Sequence, residues 1–131
     1  MELENLLEQF VKVYCNNMDF EYDATYGSVL SIDDGLLEVK IEPHEKEAWF
    51  HCAIFDIPRQ NREKIYEALL TTHIFGQLTR GAHFSLNINE QKILLCKTVK
   101  IEDMPQERFD QLLKEFFETC LIYKATLKHF E

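Results

Sequence analysis

The sequence is short of the residues that break or cross-link a chain. Its 131 residues include 4 glycines, 3 prolines and 1 tryptophan. Those glycines assemble neither a G-x-G-x-x-G pattern nor a P-loop, which excludes both familiar nucleotide-phosphate sites. The 4 cysteines, Cys15, Cys52, Cys96 and Cys120, stand tens of residues apart and form no C-x-x-C pair. Each lies in an apolar run and reads as a small buried hydrophobe of a reduced, cytosolic protein. No apolar run approaches the ~18 residues of a spanning helix. The acidic start Met1-Glu2-Leu3-Glu4 has neither the basic nor the apolar part of a signal peptide. These absences lead us to expect a cytoplasmic protein. Positive charge is scarce as well: 14 Lys and Arg face 23 Asp and Glu, a net charge of −9. Phosphate backbones would be repelled, which argues against a nucleic-acid partner.

What is present points to one folded domain spanning residues 1–131. Hydrophobic residues make up 46% and aromatics 12%, far from a disordered composition. The charge is unevenly placed. Residues 1–60 hold 13 acidic and 4 basic residues, whereas residues 61–131 hold 10 of each. The whole excess therefore belongs to the N-terminal half, and solubility alone does not require that.

Periodicity supplies the elements. Leu3, Leu6, Leu7, Phe10, Val11, Val13 and Tyr14 recur at helical spacing over an arc of about 160°, wider than the ~100° stripe of a surface helix. The expectation is a helix from Glu2 to about Asn17 with apolar surface to spare. An aromatic loop follows over residues 18–27. Ser28–Ile32 and the alternating Leu37, Val39 and Ile41 read as a hairpin closed by Asp33-Asp34-Gly35. Pro43-His44-Glu45-Lys46 is the next turn. Residues 47–57 are apolar on both faces, which places that strand centrally in the sheet. A second helix over residues 61–75 takes Asn61 as its N-cap and Gly76 as its stop. Ala82–Ile88 and Lys92–Lys100 alternate as two further strands. Asp103 and Gln106 are placed for a capping box at the start of a last helix reaching about Lys128. The order αβββαββα gives an α+β domain with three helices and a mostly antiparallel five-stranded sheet.

Chemistry is harder to find. His44, His51, His73, His83 and His129 are not at metal-ligand spacing, and no cysteine cluster supports them. His51 and Cys52 are strand neighbours and point to opposite faces, so they form no direct nucleophile–base pair. Asp33-Asp34 precede Gly35 between strands and read as a turn before they read as an acid/base pair. The expectation is therefore no catalytic residue, no metal and no cofactor. Three helices and one small sheet cannot readily bury every apolar face, so exposed patches for a partner are expected.

The order and several local motifs resemble the class I chaperones of type III secretion systems, the Tir chaperone family. Ser28 to Ile41 is similar to that family's first hairpin. Phe50-His51-Cys52-Ala53-Ile54-Phe55-Asp56-Ile57-Pro58 resembles its central strand ending in proline. Leu69-Leu70-Thr71-Thr72-His73-Ile74-Phe75-Gly76 resembles the end of its second helix, with His73 where asparagine is common. Gly81-Ala82-His83-Phe84-Ser85-Leu86-Asn87 resembles its following strand, and the segment around Phe116-Phe117 its last helix.

The resemblance implies a non-catalytic, ATP-independent chaperone. Such a protein is a homodimer, or pairs with a related chaperone, and holds the extended N-proximal segment of a secreted effector. It implies effector contacts at Phe10, Val13, Tyr14, Val29, Leu30, Leu37, Val39 and Trp49, each of which also fits a core. It implies a dimer interface at Leu70, His73, Ile74, Phe75, Phe84 and Leu86. Given the acidic N-terminal half, the client segment is expected to be net basic. Two rival readings remain on the sequence: a small cytosolic ligand-binding or regulatory module of the same fold, and an enzyme using Cys52.

Overall fold

The computed structural model describes residues 3–18, 21–23, 28–32, 37–72 and 80–128. In chain order these are α1 (Leu3–Met18), β1 (Glu21–Asp23), β2 (Ser28–Ile32), β3 (Leu37–His44), β4 (Glu47–Asp56), α2 (Arg62–Thr72), β5 (His83–Asn87), β6 (Lys92–Lys100) and α3 (Gln106–Leu127). The expected α+β order and the five antiparallel strands are present. One strand is added. Glu21–Asp23, inside the segment read as a loop, pairs antiparallel with β2 through Tyr22 opposite Leu30. Three residues are too few to show a period of two.

The sheet order is β1-β2-β3-β4-β6-β5. β4 lies between β3 and β6, as its two apolar faces suggest. Its alternate residues Ala48, Phe50, Cys52 and Ile54 are buried, while Trp49 and Ala53 are exposed. Register extends this division across the sheet: Val39 faces Cys52, Ile41 faces Phe50, and Leu95 and Val99 face Cys52 and Ala48. All are buried, so one face of the sheet is the core face. β3 runs further than expected, through Pro43 to His44. Proline is tolerated there because the described pairing with β2 ends at Ile41, so that Pro43 has no partner on that side among the described residues.

Helices α1 and α3 cover the core face. Phe109 of α3 stacks on Phe10 of α1 at 4.9 Å between ring centroids and meets Phe50 of β4 edge-on at 5.9 Å. Phe116 adds a tilted contact to Phe50 at 5.7 Å, and Tyr14 stacks on Phe117 at 6.4 Å. These contacts explain the wide apolar arc of α1. It touches α3 and the sheet together, so Leu7, Phe10, Val11, Tyr14 and Cys15 are all buried. The expected surplus narrows to Val13 among the side chains described.

Two expected caps do not form. Asn61 has φ 61, outside the extended range of an N-cap residue. Asp103 has φ 59, and Pro105 stands at the N-cap of α3 without a side-chain cap hydrogen bond. Gln106 is used otherwise: its Nε2 donates to the Phe10 carbonyl at 3.0 Å and to Asp110 Oδ1 at 2.7 Å. The amide pins α3 to α1 instead of closing a box.

The thiols are part of this packing. Cys15, Cys52 and Cys120 are buried and Cys96 is half-buried. Burial pushes Cys15 up to about 11. Cys52 and Cys120 share a hydrogen bond between β4 and α3. That bond, followed by burial, raises Cys120. The same bond lowers Cys52 against the opposing effect of burial.

Gln106→Glu tests the inter-helix pin. A glutamate would suit a capping box and the helix dipole but cannot donate to the Phe10 carbonyl. The expected outcome is a loss of about 1 kcal/mol in a urea titration; an unchanged or raised midpoint would restore the capping reading. For the thiols, a chromogenic disulfide reagent should titrate at most one group per native chain, Cys96, and all four after denaturation. Fast native reaction of a second thiol would contradict the packing.

Candidate functional site

The face of the sheet opposite α1 and α3 is the first candidate. Register places Val29, Lys40, His51, Cys96 and His83 side by side across β2, β3, β4, β6 and β5. Glu42, Trp49 and Thr98 form the adjacent row. Trp49 is 37% exposed and stacks on His44, 4.1 Å between centroids at 19°. Glu42 Oε1 lies 3.5 Å from His51 Nε2. Glu42, Trp49, His51, His83, Leu94, Cys96 and Thr98, with Phe50 and Lys97, line an open recess of about 280 Å³. The Cys96 thiol facing it is pushed up, mainly by burial and against a hydrogen bond with Ser85.

The residues assigned to effector binding do not share one surface. Phe10, Tyr14, Leu30, Leu37 and Val39 are buried between the sheet and the helices, on the core face of their elements. The Tyr14 hydroxyl is pushed up to about 12, chiefly by that burial and secondarily by the Cys15, Asp110 and Glu118 charges. Three of the eight reach the surface. Val29 and Trp49 do so on the open sheet face, and Val13 does so on α1.

The residues assigned to a dimer interface behave differently. Leu70 on α2 is 74% exposed and Leu86 on the edge strand β5 is 47% exposed. Phe84 is half-buried, its ring edge-on to Tyr123 at 5.2 Å. His73, Ile74 and Phe75 lie outside the described residues. Sequence reading did not single out Ile88, which is 71% exposed just beyond β5, nor Leu121 and Ile122 on the outer side of α3.

Catalytic chemistry has little to work with among the described residues. No three His, Cys, Asp or Glu side chains are placed to hold a metal ion. Cys52, the candidate nucleophile, is 1% exposed beneath the sheet, whereas reactive thiols are reachable. No helix among the described residues is long and apolar enough to cross a membrane.

Comparison with known proteins places this geometry in context. The fold is shared with the ExsC–ExsE complex, at TM-score 0.75 and 11% identity over 95% of this chain and 96% of that one. YbjN of E. coli, described as a putative transcription regulator, matches at TM-score 0.74 and 11% identity over 93% and 91%. The Yersinia pestis type III secretion chaperone SycH, solved with a stable fragment of YscM2, matches at TM-score 0.60 and 15% identity over 87% and 96%. No curated protein matches the sequence. The model of the Tir chaperone protein (CesT) family matches residues 5–121. That match spans most of the chain, which therefore belongs to the Tir chaperone family.

Proposed function

We propose that this protein is an ATP-independent cytoplasmic chaperone that works as a dimer and holds the N-proximal segment of a type III secretion effector in extended form. The observation that carries the reading is the family match across residues 5–121. Fold neighbours described as complexes of chaperones with effectors support it, among them HopA1–SchA.

The exposed apolar residues support this reading. Leu70 and Leu86 suit a second copy, and Phe84 would join them at the margin. His73, Ile74 and Phe75 complete the proposed set by sequence. Effector contact would centre on Trp49 and Val29 of the open sheet face, with Val13 of α1 a separate contact on the helical side. Phe10, Tyr14, Leu30, Leu37 and Val39 would support these contacts from the core. An extended client on a sheet gains affinity from main-chain hydrogen bonds and specificity from alternate side chains. The acidic half of the chain would favour a net basic client segment through complementary potential.

The dimer has a direct test. Light scattering on a gel-filtration column should give twice the 15.6 kDa chain mass, and Leu70→Asp with Leu86→Asp should give the monomer. A monomeric wild type at micromolar concentration would remove the dimer. Client binding has another. A fragment holding the N-proximal segment of its type III secretion effector should co-purify with it, and the complex should weaken from low to high salt as the Debye length shortens from about 30 to 3 Å. An affinity indifferent to salt would remove the basic-client assignment.

A further inference from the structure

The recess beside Trp49 has a more particular chemistry than an apolar patch. Its walls are the side chains of Trp49, Leu94 and Cys96, and its rim carries Glu42, His51 and His83. At about 280 Å³ it is no larger than the bottom of the ~300–1,000 Å³ range of pockets for free small molecules. It is open along the sheet, as a seat for one side chain of an extended segment would be.

Charge distinguishes the rim. Among the described residues, no lysine or arginine lies within ion-pairing distance of Glu42; its partner is His51, at 3.5 Å. Lys97 also lines the recess, but it pairs with Phe50 in register and so belongs to the core face. Its Nζ donates to the Arg80 carbonyl at 2.9 Å, away from Glu42. The indole is bracketed by His44 on one side and remains partly open. A carboxylate without a strong cation beside an accessible indole is the pairing a guanidinium satisfies twice, by a forked hydrogen bond and by stacking.

Resting on the chaperone reading above, we propose that this recess is an anchor subsite for an arginine of the bound segment, preceded or followed by an apolar residue. The guanidinium lies against Trp49 and pairs with Glu42, while the apolar neighbour fills the floor at Leu94 and Cys96. The net charge of −9 favours the same occupant at longer range.

Trp49 is the 1 tryptophan of the chain, so its emission reports this site alone. The probe is a displayed library of random 15-residue peptides selected on the wild-type protein. Binders should be enriched in arginine next to an apolar residue and should change Trp49 emission. Replacing that arginine by citrulline, its uncharged isostere, should weaken binding roughly tenfold on wild type, as expected for loss of a charged hydrogen bond. The same replacement should have little effect on Glu42→Gln and its full effect on Glu38→Gln, a carboxylate of the same face outside this recess. Circular dichroism confirms that both variants fold. Binders without arginine enrichment, or equal citrulline effects on both variants, overturn the subsite and leave the chaperone reading standing. Binders that leave Trp49 emission unchanged do the same. Failure to select any binder removes both. A change in oligomeric mass on Glu42→Gln assigns the recess to a second copy and overturns the anchor.

Discussion

Everything in the fold hangs on a single-sided burial centred on Phe109. That ring stacks on Phe10 and meets Phe50 edge-on, so one side chain joins α1, α3 and the middle strand of the sheet. Such aromatic pairs contribute about 0.5–1.5 kcal/mol each beyond the area they bury. The consequence is geometric as well as energetic. With both long helices committed to the core face, the opposite face keeps Trp49 and Ala53 exposed and Leu94 half-buried. A chain with a helix on each side would have hidden those residues in its own core.

The parts of this arrangement legible in sequence are those fixed by period. Leu37, Val39 and Ile41 alternate with Glu38, Lys40 and Glu42, and the structure keeps that division. The two apolar faces of β4 placed it at the centre of the sheet, where it is. Periodicity names a face but not what covers it. Leu30, Leu37 and Val39 were therefore open to either core or client, and the helices make them core in the free chain. Trp49 and Phe50 are neighbours with similar hydropathy and opposite fates, a difference set entirely by where α3 packs. The capping box at Asp103 and Gln106 failed for a related reason. A long-range acceptor, the Phe10 carbonyl 96 residues away, competes for the same amide, and no local pattern reveals it.

Function was less legible than fold, because the fold is shared by proteins of different description. YbjN, described as a putative transcription regulator, is as near in shape as the ExsC–ExsE complex. Shape therefore does not choose between chaperone and regulator, and the family match does. The acidic surplus of residues 1–60 adds what neither provides. It puts Glu42 at the rim of the recess and Glu38 further along the same open face, where a client would feel them.

The edges of the sheet complete the argument. Strand edges carry unpaired backbone groups and invite pairing with other chains. One edge here is β1, three residues long, which offers little to a partner. The other is β5, five residues long, with Leu86 on it and Ile88 just beyond, both well exposed. An edge of that length with leucine and isoleucine beside it is a liability in a lone chain. Proteins blunt such edges with charge or proline, and Phe84-Ser85-Leu86 has neither. A second copy across this side of the molecule would cover the liability, and would do so without touching the face that holds Trp49. On the proposed reading, dimerisation and client binding would be separate demands on one small domain, placed on different sides of the same sheet.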